Sequence, residues 1–235
     1  MKKTKLPVAI QTKTPYNKGD AYEDKIYNLM KTSSILSMGC KRAGAGTGQD
    51  SQFTHKGKDY NLEIKLDLLA DYGQKMFMWS KENSWFWRTT DEINELYTSL
   101  GVLDYVKAKG IIPNRHSKPT NSLTLADKKE DQHNFEDTKF IIDCEALLKY
   151  YEEKNVFYIQ IGNGYGFYCL SKDPANLGVP KFNAKFILRL RAKTIHSEPV
   201  HNYGFYAVLK VKNKPQKSNY NIEGGFGQNF PPITP

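Results

Sequence analysis

Cysteine is scarce in this chain: of 235 residues, three are cysteines, Cys40, Cys144 and Cys169. They are far apart and odd in number, and no Cys-x-x-Cys occurs. That argues against a disulfide framework or a zinc ribbon and fits a reducing cytosol. No apolar run approaches the ~20 residues that a membrane span needs. The basic start Met1-Lys2-Lys3 is followed by an apolar run, Leu6 to Ile10, that Pro7 interrupts, too short for a secretory signal. The expected location is therefore cytoplasmic, with no membrane partner. Gly44-Ala45-Gly46-Thr47-Gly48 is not followed by Gly-Lys-Ser/Thr and lacks dinucleotide spacing, so no nucleotide cofactor is expected. Histidine is sparse too. His196 and His201 flank Glu198 and Pro199, and the proline breaks any common helical face, which argues against zinc there.

Aromatic residues are abundant, at 13% of the chain, and the hydrophobic share is 39%. This is enough to bury one sizeable core and makes disorder over most of the chain untenable. One elaborated domain is expected over residues 1–235. Lys and Arg number 34 against 25 Asp and Glu, a formal net charge of +9. A basic surface points to a polyanionic partner, nucleic acid first.

The pattern along the chain predicts an extended arm over 1–18. A helix follows, with Asp20 as N-cap, Glu23 three residues on, and Tyr22, Ile26, Leu29 and Met30 on one face. Gln49 to Thr54 and Tyr60 to Leu66 read as a hairpin about the turn 56–59. In its second strand Leu62, Ile64 and Leu66 face one way, and Asn61, Glu63 and Lys65 the other. A second hairpin pairs 75–79 with 85–87, and a helix runs from Thr90 to about Lys107. Residues 110–138 read as a long polar loop or insertion. A helix over 144–153 and a hairpin of 156–161 with 166–170 about Gly162-Asn163-Gly164 come next. Two strands, 185–193 and 205–211, complete the set. The Gly-, Pro- and Asn-rich tail after Asn213 reads as loosely ordered. Trp79, Trp85 and Trp87 read as packing residues before base-stacking ones.

Phosphodiester hydrolysis needs a metal to polarise the phosphate, an activated water and charge compensation on the leaving oxygen. Magnesium takes hard oxygen ligands and keeps several waters, so two carboxylates on adjacent strands suffice. Asp50 on the first strand and Glu63 on the second supply them. Lys65 shares Glu63's face and can serve the attacking water or offset developing charge.

The order Gly19-x-x-Tyr22-Glu23, Lys41-Arg42-Ala43-Gly44, Gln49-Asp50, Leu62-Glu63-Ile64-Lys65 and Gly73-Gln74 resembles the core of the PD-(D/E)XK nuclease superfamily, which includes many type II restriction endonucleases. The resemblance covers about residues 19–75, and Gln49 stands where the family's motif has proline. It implies an α/β fold with a restriction-endonuclease-like core: a central mixed β-sheet flanked by helices, with additional C-terminal strands. It also implies that Asp50 and Glu63 bind Mg2+ with the Ile64 carbonyl as a further ligand and that Lys65 serves the water. Glu23 would complete a second metal position, and Gln74 would lie near the scissile phosphate. The implied activity is sequence-specific cleavage of double-stranded DNA to 5′-phosphate and 3′-hydroxyl ends, by a homodimer if the site is a palindrome.

For DNA contacts, alternation in 185–193 puts Arg189, Arg191 and Lys193 on one face. Lys41 and Arg42 precede the metal loop, and Asn114 and Arg115 in the polar stretch suit base edges. Two other readings stand beside this one. One is a structure-selective nuclease of junction-resolvase or repair type. The other is a non-catalytic basic DNA-binding module in which Asp50 and Glu63 are ordinary surface charges.

Overall fold

The computed structural model describes residues 18–41, 49–90, 92–142, 144–194, 203–224 and 230–235. The expected arm (except Lys18), Arg42, the glycines 44–48, His196 and His201 lie outside the described residues.

Helix α1 (Lys18–Thr32) buries the stripe Tyr22, Ile26 and Met30. It already includes Lys18, so Asp20 lies within the first turn rather than at the cap; there its charge complements the helix N-terminus. Strands β1 (Ser51–His55) and β2 (Lys58–Lys65) form the expected hairpin, turning through Lys56 and Gly57, both at positive φ. β3 (Tyr72–Ser80) and β4 (Ser84–Trp87) form the second. The one helix expected from Thr90 is two, α2 (Glu92–Ser99) and α3 (Val102–Ala108). Gly101 between them takes a left-handed φ of 70°, which ends the first and redirects the chain.

The stretch 110–138 is not a loop. It folds as α4 (Asn114–Ser117), a 3-10 turn (Thr120–Ser122) and α5 (Leu125–Phe135). A reciprocal capping box between Thr124 and Asp127 starts α5, whose buried residues are Asp127, Asp131 and Phe135. β5 (Asp137–Ile142) follows, a strand not foreseen. Then come α6 (Cys144–Glu153), β6 (Val156–Ile161), β7 (Gly166–Cys169), β8 (Phe186–Thr194) and β9 (Tyr203–Val211).

The strands make two sheets. The mixed sheet has the order β1-β2-β6-β7, with β2 and β6 parallel and the other pairs antiparallel. The second, antiparallel sheet has the order β4-β3-β9-β8-β5. The fold is thus α/β, with mixed and antiparallel sheets flanked by helices. The C-terminal strands β8 and β9 join β3 and β4 rather than extending the mixed sheet. One core fills the space between the two sheets and includes Tyr72, Tyr151, Ile159, Tyr168, Leu188 and Phe205. A second lies on the other face of the mixed sheet, where Ile26 of α1 meets Leu62, Ile64 and Phe167. β6 is buried on both faces, hence its nearly unbroken apolar sequence.

The described residues of the tail, 213–224 and 230–235, are fastened to the sheets. The Phe167 N–H donates to the Tyr220 carbonyl at 2.7 Å, the Ile222 N–H to Gln160 Oε1 at 3.0 Å, and the Thr234 N–H to His55 Nδ1 at 3.1 Å. Ile222 is fully buried. Gly166 permits this approach: at φ 105° a Cβ there would meet the Tyr220 carbonyl at 2.3 Å. No helix among the described residues is long and apolar enough to cross a membrane.

Candidate active site

β2 sits inside the mixed sheet, between β1 and β6. β1 begins at Ser51, which pairs with Leu62, so beyond that pair β2 has no ladder partner on its β1 edge among the described residues. Asp50 fills the gap: its Oδ2 accepts the Ile64 N–H at 2.7 Å. The Lys65 carbonyl accepts from Gly162 N, on the β6 side, at 2.9 Å. Successive strand residues turn their backbone groups to opposite edges, so the Ile64 carbonyl faces the Asp50 edge.

Glu63 and Lys65 share a face, as the alternation requires. That face is not open to solvent. It looks toward the core between the sheets, and Glu63 is 9% exposed. Lys65 Nζ lies 2.5 Å from Glu63 Oε1 and 3.7 Å from Asp50 Oδ2. Three charges from two strands thus converge on one point.

The electrostatics follow from this crowding. Burial and the neighbouring Glu63 carboxylate push the Asp50 carboxyl up to about 7, against the pull of Lys65 and of the Ile64 N–H. Glu23 adds a smaller push in the same direction. Burial alone would lower the proton affinity of Lys65, but Glu63 and Asp50 outweigh it and hold the ammonium above its usual range. The two acids thus favour the charged form of Lys65, which suits it to orienting a water and compensating charge.

Two tyrosines that the sequence pattern does not single out line this point. Tyr151, on α6, directs its hydroxyl to Glu63 Oε1 at 3.5 Å. Tyr72 is fully buried, and its hydroxyl has no hydrogen-bond partner among the described residues. Burial raises both phenols, with Glu63 adding to the rise. Neither is marked in the sequence, since each reads as an ordinary core aromatic.

A cleft of about 760 Å³ reaches the site at Ile64 and Lys65, while Asp50 and Glu63 lie behind them and do not line it. Its lining includes Glu23, Ile64, Lys65, Gln74 and Lys193, five residues that the sequence singles out separately. Gly162 sets the meeting of α1 with the end of β2, since a Cβ there would lie 2.4 Å from the Leu66 carbonyl and 2.8 Å from the Tyr22 ring. Lys193 Nζ donates to Gln74 Oε1 at 2.8 Å and lies 3.5 Å from Asp71. Asp71 also pairs with Lys210; its burial, which would raise it, is outweighed by Lys210, Lys193 and Arg191, so its carboxyl lies below the usual range. The wall carries four carboxylates, Asp20, Glu23, Asp67 and Asp71, against the ammonium groups of Lys65 and Lys193. In a basic protein, the cleft is acidic.

Other candidate residues lie elsewhere. On β8, Arg189, Arg191 and Lys193 do share the face opposite the buried Leu188, Leu190 and Ala192. Arg189 pairs with Glu136 at 3.3 Å, and the buried Nε of Arg191 has no partner among the described residues. Asn114 and Arg115 do not fit the role of groove readers. Both backbone N–H groups donate to the buried Asp131, at 2.8 and 3.0 Å. The Asn114 amide bonds Glu130, and Arg115 Nε donates to the Tyr203 carbonyl at 2.8 Å. Their polar groups brace α4 against α5 and β9. Lys41 is exposed and does not line the cleft.

Among the described residues, no group of three or more His, Cys, Asp or Glu is arranged to hold a metal ion. Asp50 and Glu63 make a two-carboxylate set with a backbone carbonyl on the same edge. That donor set suits magnesium, which keeps several of its waters. In the structure the Lys65 ammonium supplies positive charge to both acids. The chain matches no protein-family model, no curated protein and no solved structure.

Proposed function

We propose that this chain is a magnesium-dependent DNA endonuclease of PD-(D/E)XK type, a type II restriction endonuclease that cuts double-stranded DNA to 5′-phosphate and 3′-hydroxyl ends. The observation that carries the reading is the convergence of Asp50, Glu63 and Lys65 where β2 runs past the start of β1, with Lys65 lining a cleft that Glu23 and Gln74 also line. Asp50, Glu63 and the Ile64 carbonyl would hold the metal. When bound, magnesium supplies polarisation of the phosphate and a more acidic water.

The chain's own residues do the rest. Lys65, held protonated, donates to the water or to the phosphate oxygen on which charge grows. Gln74, held by Lys193, lines the cleft and would contact the substrate there. Glu23 supplies a further carboxylate to the cleft lining. An acidic cleft repels a phosphodiester unless a cation intervenes, so the four wall carboxylates favour a metal-dependent reaction over a metal-free one. The β8 face with Arg189, Arg191 and Lys193 supplies backbone contacts. Cleavage of a palindrome would need a two-fold homodimer.

Digestion of long unmodified DNA by purified protein tests the reading, run with magnesium, with EDTA, and with Asp50→Asn in parallel. Discrete fragments that need both magnesium and Asp50 support it. Discrete nicks confined to branched DNA would replace restriction with structure-selective cleavage. DNA binding with no cleavage of any substrate would leave a non-catalytic module.

A further inference from the structure

We infer that a second, basic pocket beside the candidate active site holds a nucleotide of the substrate strand outside the cleavage point. The inference rests on the nuclease reading and says where the strand goes. The pocket has a volume of about 480 Å³, within the range of sites that take a small ligand. Its lining includes Asn163, Tyr165, Lys212, Lys214, Asp67 and Leu69.

Each wall is fastened. The Tyr165 carbonyl accepts from Ser218 N and from Tyr168 Oη, both at 2.8 Å. Lys212 N donates to the Lys185 carbonyl at 2.7 Å. Leu69 N donates to Asp67 Oδ1 at 2.7 Å, and the Leu69 carbonyl accepts from Lys210. A third lysine lies close by, outside the lining: Lys217 Nζ is 5.8 Å from the centre of the Tyr165 ring.

The chemistry divides as a nucleotide does. Two exposed lysines, Lys212 and Lys214, share the lining with one carboxylate, Asp67, and offer a place for a phosphate. Tyr165 and Leu69, the latter 80% exposed, offer apolar surface for a base or sugar. Asp67 and Leu69 also line the catalytic cleft, so one short loop is the wall common to both. The cleft is acidic and the pocket basic. A strand crossing Leu69 would leave the point where its phosphate needs a cation and enter one where lysines hold it.

The test is binding of a fluorescent DNA duplex in EDTA, where no cleavage intervenes, by wild type and by Lys212→Gln/Lys214→Gln, across a range of salt. Removing one phosphate-binding cation lowers the slope of log affinity against log salt by about one. The double variant is therefore expected to lower it by about two, and Lys217→Gln by about one. In magnesium the double variant is expected to cleave more slowly at low DNA and at the wild-type rate at saturation. Unchanged slopes in both variants, with wild type binding and cleaving, overturn the pocket and leave the nuclease reading intact. Wild type that neither binds nor cleaves DNA overturns both. A thermal shift by thymidine monophosphate in wild type but not in the double variant, with equal DNA binding by the two, would assign the pocket to a free nucleotide and overturn the strand path.

Discussion

Replacing Lys65 by methionine removes the charge at the centre of the site and keeps most of the volume. The ammonium is 2.5 Å from Glu63 and 3.7 Å from Asp50. At an effective dielectric of about 20 these separations correspond to roughly 7 and roughly 4 kcal/mol of attraction. Much of that is offset by the cost of holding three charges out of water, and removing one member of such a set costs about 3–5 kcal/mol. The two carboxylates left behind repel, and Asp50, already at about 7, rises further. Its folded value lies still further above its unfolded one of ~4. The folded state holds a proton that the unfolded chain has released, so the variant loses stability as pH rises from about 4 to beyond 7. Magnesium restores the missing positive charge. Urea denaturation at pH 8 is therefore expected to show a large loss in EDTA and a recovery in magnesium that exceeds any gain by wild type. If Lys65→Met is destabilised and magnesium stabilises neither protein, the cluster is a structural ion group with no affinity for metal, and the reasoning fails.

Other outcomes follow from the same architecture. Asp131→Ala leaves three donors, Asn114 N, Arg115 N and Tyr203 Oη, without their acceptor. It is expected to cost about 3 kcal/mol; a urea midpoint equal to wild type would contradict that. His116 packs against Trp85 and Phe205, and burial holds its imidazole down to about 4. Its contribution is full above ~6.5 and is lost as pH falls toward 4, so His116→Phe should flatten the acid limb of the stability curve over that window. An unchanged limb would refute this. Tyr151→Phe removes the hydroxyl facing Glu63 and is expected to lower kcat for DNA cleavage about tenfold with KM unchanged; a raised KM alone would assign Tyr151 to binding.

The β1–β2 hairpin and the relation of Glu63 to Lys65 were legible because strand alternation fixes which side chains share a face. Alternation could not tell that this face is covered. The cover comes from Tyr151 on α6 and Tyr72 on β3, distant in sequence and typical of core residues. The stretch 110–138 misled for the opposite reason: the buried side of α5 carries Asp127 and Asp131, which a hydropathy pattern assigns to solvent. The same aspartates engage Asn114 and Arg115, whose composition alone suits base reading. In the tail, Ile222 and Ile233 are too far apart to form a pattern, yet Gln160 and His55 fasten the segments that carry them. The break at Gly101 was carried by one residue inside an otherwise helical apolar spacing.

The most direct test of the central claim is the single-turnover rate of magnesium-dependent DNA cleavage by Asp50→Asn and by Glu63→Gln against wild type. The account predicts EDTA-sensitive cleavage by wild type and a loss of at least about a thousandfold in each variant, since each removes a carboxylate placed to hold the metal. Cleavage by either variant within about tenfold of wild type, or none by wild type on any DNA, would contradict it.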